Sequence, residues 1–193
     1  VRIVKYPHPT LRHKSKPLKK VDAELKRLVA EMFELMYESR GIGLAANQVD
    51  LPYRLFVLNL AGDPDEGEEH VFINPVLSRP SGGSAEAEEG CLSFPEIYAP
   101  VRRPEKIVVS AYNLKGEEFH YELNGLFSRA VQHEADHLDG VVFIDRLGET
   151  ARLEVADKID ELEAQYAGDL SRGAIPGADR VASRLAELEA LRT

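Results

Sequence analysis

The sequence predicts an α+β fold, with helical periodicity toward both ends of the chain and β-rich segments between them. Three observations carry that expectation. Leu25, Leu28, Val29, Met32, Phe33 and Met36 recur at helical spacing between Asp22 and Arg40. Tyr53–Leu60, Val71–Ile73, Lys106–Tyr112 and Glu117–Leu123 read as strands, the last two pairing as a hairpin across Lys115-Gly116. The stretch from Leu126 to Gly140 is a helix that follows a break at Asn124-Gly125 and stops at Asp139-Gly140.

With 193 residues the chain is long enough to bury one adequate core. Charged residues make up 30% and the formal net charge is −9, which argues against general binding to nucleic acid or to an anionic membrane. No apolar run is long enough to span a bilayer, and nothing reads as a signal peptide. A single cysteine excludes an internal disulfide and makes a reducing cytoplasm the default, while marking that thiol as worth tracing. No internal repeat is visible.

Taken in order, residues 1–18 are punctuated by Pro7, Pro9 and Pro17, with Thr10-Leu11-Arg12 as a helical turn. His8 and His13 stand among basic residues and are expected at the surface. The first helix takes Asp22 as N-cap and Gly41 as C-cap, and its methionine and phenylalanine stripe belongs to the core. The span Gly41-Ile42-Gly43-Leu44-Ala45-Ala46-Asn47-Gln48 follows. Its small residues let a backbone approach something closely, but without a GK[ST] sequence it is no phosphate loop. It reads equally as a tight turn entering a strand, unless Gln48 points at a reacting centre, where a neutral amide suits a developing oxyanion.

In the β-rich middle, the acidic residues 63–69 form a solvated loop and Ser81-Gly82-Gly83-Ser84 forms a second loop. His70 and His120 are expected to be incidental. Glu88-Glu89-Gly90-Cys91-Leu92-Ser93 carries the sole cysteine. Cys91 reads either as a small buried hydrophobe or as a ligand.

The chemistry concentrates in His133-Glu134-Ala135-Asp136-His137. Histidines at i and i+4 share one helix face and can grip one metal ion, and Glu134 projects beside it where a carboxylate can take a proton from water. Leu126, Ala130, His133 and His137 share one stripe, so this face is expected to be buried. The competing reading is a buried helix whose histidines only hydrogen-bond to neighbours, and the third ligand decides between them. A histidine six residues after the second is absent, because Phe143 stands there. Glu149, Glu154, Asp157, Asp160 and Glu161 of a following 150–166 helix are spread as on a solvated face. Cys91 with His133 and His137 makes a three-ligand set that leaves one position open, the pattern of a catalytic metal. A Cys/His pair acting without metal would leave Glu134 unexplained.

The three spans 41–48, 89–93 and Gln132–His137, in that order, resemble the signature motifs of bacterial-type peptide deformylase, and the similarity covers about residues 1–165. The resemblance implies antiparallel strands around a central metal-binding helix, followed by a C-terminal helix. It implies removal of the formyl group from N-terminal formyl-methionine of nascent polypeptides. Cys91, His133 and His137 then hold one divalent ion, with Fe(II) common in the family and Zn(II) or Ni(II) compatible with the ligands. A metal-activated water attacks the formyl carbon, Glu134 moves its proton to the leaving amine, and Gln48 with the Leu92 N–H stabilises the oxyanion. Ile42 and Gly43 offer a strand edge to the substrate backbone. Glu89, Gly90, Leu126, Arg129 and Ala130 complete the substrate site with Gly43 and His133.

The chain departs from the family at three positions. Tyr98 stands where an arginine often contacts substrate, Arg129 replaces an aliphatic residue, and Ala87 a larger apolar one. Arg129 is expected to wall the pocket with its stem and to reach solvent with its head, favouring acidic residues after the formyl-methionine; the alternative is pairing with a nearby acid. The catalytic domain is assigned to residues 1–167. Residues 168–193 are assigned to a linker and a short helix with Val181, Leu185, Leu188 and Leu191 on one face, packing on the domain or on a second subunit of a homo-oligomer. From Glu154 to Glu163 five acids face Lys158 alone, so no direct nucleic-acid binding is expected even near a ribosome.

Overall fold

A computed structural model describes residues 1–193. Helix α1 spans Ala23–Glu38, and the Asp22 carboxylate caps it by accepting the Leu25 N–H at 2.9 Å. Its buried face is Leu25, Val29, Met32, Phe33 and Met36. The chain leaves the helix through Arg40 at φ 58°, so the left-handed residue is not Gly41. Gly41 instead meets Leu92, whose Cδ1 would lie 2.7 Å from an added Cβ.

Five strands form one antiparallel sheet in chain order: β1 Gly43–Ala45, β2 Leu55–Leu58, β3 His70–Cys91, β4 Phe94–Tyr112 and β5 Glu118–Asn124. The expected hairpin is β4 with β5, paired from Lys106↔Asn124 to Tyr112↔Glu118. The short Val71–Ile73 strand and the Ser81–Ser84 loop are corrected, because both lie within the 22-residue β3. Pro75 and Pro80 each fall inside a register shift of the β3–β4 ladder, Ile73/Val76 and Ser78/Ser81. Bulges of this kind absorb a residue without an N–H and bend the ribbon without ending it.

Helix α2, Gly125–Leu138, lies against this sheet. Its Ala130, Val131, Ala135 and Leu138 pack with Phe56, Leu58, Phe72, Ile107, Val109 and Leu123. Burying one such large side chain contributes about 1.5–3 kcal/mol, so the helix register is firmly held. A further cluster joins Phe94, Ile97 and Val101 of β4 to Phe143, Ile144 and α3, Glu149–Ser171, through Val155 and Ile159. Phe143, at the position of the absent third histidine, is fully buried against Phe94 and beside the His133 ring. His8 is buried rather than superficial, its Nδ1 accepting the Thr10 N–H.

Helix α4, Ala178–Arg192, returns to the body of the protein. Val181 and Leu185 are buried and Leu188 packs against the α1 core, while Leu191 is 68% exposed. Arg192 takes the place expected for that last leucine, pairing with Asp22 at 2.7 Å and with Glu24. Glu189 receives His13 at 2.7 Å and Lys16 at 2.8 Å. No helix is long and apolar enough to cross a membrane.

Candidate active site

One turn of α2 separates His133 from His137, and their ring centroids stand 5.2 Å apart. Both rings face the end of β3, where Cys91 pairs with Phe94 of β4 and closes a two-residue turn at Leu92-Ser93. The Cys91 sulfur lies 3.3 Å from His137 Nε2, and ligand atoms of Cys91, His133 and His137 all lie within 4.8 Å of one another. No acid of α3 joins them.

The surroundings suit a cation. His133 Nδ1 lies 2.9 Å from Glu89 Oε1. Burial pushes the Glu89 carboxyl up, but His133 and Arg103 more than offset this and hold it at about 2. An ionised Glu89 accepts the Nδ1 proton and leaves the Nε2 lone pair free for a metal. Burial pushes His137 well below its ordinary value, keeping it neutral as a ligand must be. Glu134 is 5% exposed, and burial raises it to about 7. Its Oε2 is buried without a hydrogen-bond partner, an acceptor that fits a proton-bearing group at the three-residue site.

Gln48 sits in a 3-10 turn over Ala46–Val49 and is 1% exposed. Its Oε1 accepts the Ala45 N–H at 2.9 Å, so Nε2 must point the other way, 3.3 Å from both Cys91 Sγ and Ser93 Oγ. β1 pairs only with β2, so its other edge is open to a cavity of about 490 Å³. Ile42, Gly43, Gly90, Leu92, Leu126, Ala130, His133 and Glu134 line that cavity. Leu126 is 56% exposed at its mouth, so the expected buried stripe begins only at Ala130.

Glu89 and Arg129 both line the cavity, but their polar heads are engaged by the protein. Glu89 borders the cavity, but both its oxygens are engaged: Oε1 with His133 and Arg103, Oε2 with Arg103 and Arg129. Its carboxylate is thus taken up by protein donors. The Arg129 head does not reach solvent. Its side chain is 13% exposed, and it donates to Glu89 at 2.7 Å and to the carbonyls of Val101 and Ala85 at 2.8 Å each. Three acceptors offset the desolvation that an isolated guanidinium would suffer.

Two neighbours were not singled out from the sequence. Arg103 grips Glu89 through two nitrogens and Asp136 through a third. Lys5 donates to the Leu92 carbonyl at 2.8 Å. Tyr98, already noted as a departure from the family, is 62% exposed, stands opposite Gly90 in the ladder with its ring close against that residue, and lines the cavity. Nothing local in the sequence marks Lys5, which stands between Val4 and Tyr6, or Arg103, which stands between Arg102 and Pro104.

Comparison with known proteins agrees with this geometry. The family model described as polypeptide deformylase matches residues 1–153. A peptide deformylase of Rhodopirellula baltica is 46% identical over 191 residues, covering 99% of this chain and 94% of its own length. One of Neisseria gonorrhoeae is 47% identical over 159 residues, 82% of this chain and 93% of its own. The crystal structure of Arabidopsis thaliana peptide deformylase 1B in complex with an inhibitor superimposes with TM-score 0.84 at 42% identity, covering 92% of this chain and 97% of that one. A Synechococcus elongatus peptide deformylase in complex with actinonin gives 0.79 at 36%, covering 83% and 86%. With a matched family model over most of its length and relatives near half-identical across it, the chain belongs to the peptide deformylase family of enzymes.

Proposed function

We propose that the protein hydrolyses the formamide bond of N-terminal formyl-methionine on nascent polypeptides. The observation that carries this reading is convergence. Cys91, His133, Glu134 with its partnerless oxygen and Gln48 all line one cavity bounded by an open strand edge, and His137 stands beside Cys91 and His133. A divalent ion bound to Cys91, His133 and His137, Fe(II) by family habit and Zn(II) or Ni(II) by ligand chemistry, supplies a Lewis acid that lowers the pKa of water toward neutrality.

The remaining steps belong to the chain. The substrate backbone pairs with the edge at Ile42-Gly43, and its methionine side chain enters between Leu126, Ala130 and His133. Glu134 accepts a proton as the water oxygen bonds to the formyl carbon, and its burial keeps its proton affinity high enough for that work. The Gln48 N–H and the backbone N–H of Leu92 donate to the oxyanion, a contribution of about 3 kcal/mol per donor in comparable acyl transfers. The carbon–nitrogen bond then breaks as Glu134 returns the proton to the amine, giving formate and a free N-terminus. Glu89, held by Arg103 and Arg129, keeps His133 oriented throughout. The thiol ligand suits a reducing compartment such as the cytoplasm.

The test is formate release from formyl-Met-Ala-Ser by metal-reconstituted protein, with an acetyl-Met peptide and an unmodified peptide in parallel. Formate from the first and no scission of the others is expected. Cleavage at an internal peptide bond would replace this reading with that of a peptidase.

A further inference from the structure

We infer that the extended segment Val4–Tyr6 is a clasp holding together the two halves of the oxyanion site, with Lys5 as its positioning residue. Three consecutive residues span from one half to the other. The Val4 N–H donates to the Gln48 carbonyl at 2.8 Å, Lys5 Nζ to the Leu92 carbonyl at 2.8 Å, and the Tyr6 N–H to the Ser93 carbonyl at 3.0 Å. Gln48 carries one donor and Leu92 the other, so this inference rests on the assignment of those two groups.

The turn at Leu92-Ser93 needs such support. It follows a register shift between Gly90 and Cys91 and borders the cavity, so β3–β4 pairing alone leaves its two carbonyls free. The segment that takes them is itself anchored. Val4 is buried with Phe94 in the α3 core, the Tyr6 ring stacks on Phe94 at 4.8 Å, and the Tyr6 hydroxyl donates to Glu163 of α3 at 3.0 Å. These three residues therefore tie the oxyanion site to α3 in addition to the direct packing of Phe94 with Val155 and Ile159. Lys5 is the one link made by a side chain, which lets it be cut without altering any backbone bond.

The experiment compares wild type, Lys5→Met and Lys5→Arg as metal-reconstituted proteins on formyl-Met-Ala-amide. Lys5→Met lowers kcat by about 3- to 10-fold, the reach of one partly exposed charge-assisted hydrogen bond, with KM within two-fold. Lys5→Arg restores most of the loss. In the metal-free proteins, amide hydrogen exchange over residues 91–93 is faster in Lys5→Met while the melting temperature is unchanged. Unchanged kcat, or a loss confined to KM, overturns the clasp. Gln48→Leu separates the two layers: if it keeps kcat, the oxyanion assignment itself fails. If it loses kcat while Lys5→Met does not, only the clasp fails.

Discussion

Gly43→Ala probes the account at its tightest contact. A Cβ on Gly43 would lie 2.5 Å from Glu134 Oε1, 3.0 Å from its Cδ and 3.1 Å from its Cγ, where ordinary contact begins at 3.4 Å. The carboxylate must therefore retreat by about 0.9 Å, the difference between 3.4 and 2.5 Å. Glu134 is 5% exposed and lines the cavity, so its carboxylate shifts within the site itself. A misplacement of about 1 Å costs about 10²-fold in rate, or roughly 2.7 kcal/mol of barrier. Overpacking costs about 1–3 kcal/mol of stability, which lowers the melting temperature by roughly 2–4 °C for each kcal/mol in a chain of this size. The assay is formate release at saturating substrate with metal content measured on the same sample. Gly148→Ala is the control, since nothing lies within 4 Å of its added Cβ. If Gly43→Ala kept its metal and its kcat within three-fold of wild type, the position of Glu134 would not set the rate.

Other consequences are equally direct. Glu134→Gln is isosteric but cannot shuttle a proton; one metal per chain is expected with kcat lowered by at least about 10²-fold, and near-normal turnover would remove Glu134 from the chemistry. Arg129→Leu leaves the Ala85 and Val101 carbonyls without their donor while Arg103 still holds Glu89, so a loss of about 1–3 kcal/mol in denaturant unfolding is expected. The kcat/KM ratio between formyl-Met-Asp and formyl-Met-Lys peptides should not move in that variant; a shift would put the guanidinium at the pocket rim. Docking of α4 carries its own pH signature. Burial pushes Glu189 up, but Lys16 and His13 pull it below its ordinary value; the Leu25 N–H and Arg192 lower Asp22. A carboxylate whose folded pKa is depressed contributes stability above its unfolded pKa and loses it as pH falls through the folded one. The melting temperature of wild type should therefore fall as pH drops below the ordinary carboxylate range, and less steeply in Glu189→Gln; parallel curves would refute the linkage.

The parts of this site legible in the sequence are those whose chemistry is local. His133, Glu134 and His137 lie within one helical turn and a half, and the failure of Phe143 as a ligand could be read directly. Cys91 was legible because it is the only thiol. The parts that were hidden depend on which strands lie side by side. Arg103 reaches Glu89 across the β3–β4 ladder, and Lys5 reaches Leu92 across 87 residues. The length of β3 was hidden for a related reason: Ser81-Gly82-Gly83-Ser84 reads as a loop until the partner strand reveals the register shifts on either side of Ser81. Arg129 shows the limit of single-element reasoning. Its place on α2 could be read from the sequence, but its acceptors come from two strands that periodicity alone does not place.

The central claim is that Cys91, His133 and His137 hold one ion on which formyl hydrolysis depends. Cobalt titrated into metal-stripped protein tests it most directly, with the thiolate-to-cobalt charge-transfer absorption and formate release followed in the same samples. Both signals should rise together and saturate at one ion per chain, and Cys91→Ala should show neither. Full formate release from the metal-stripped protein, or saturation without the thiolate band, would contradict the account.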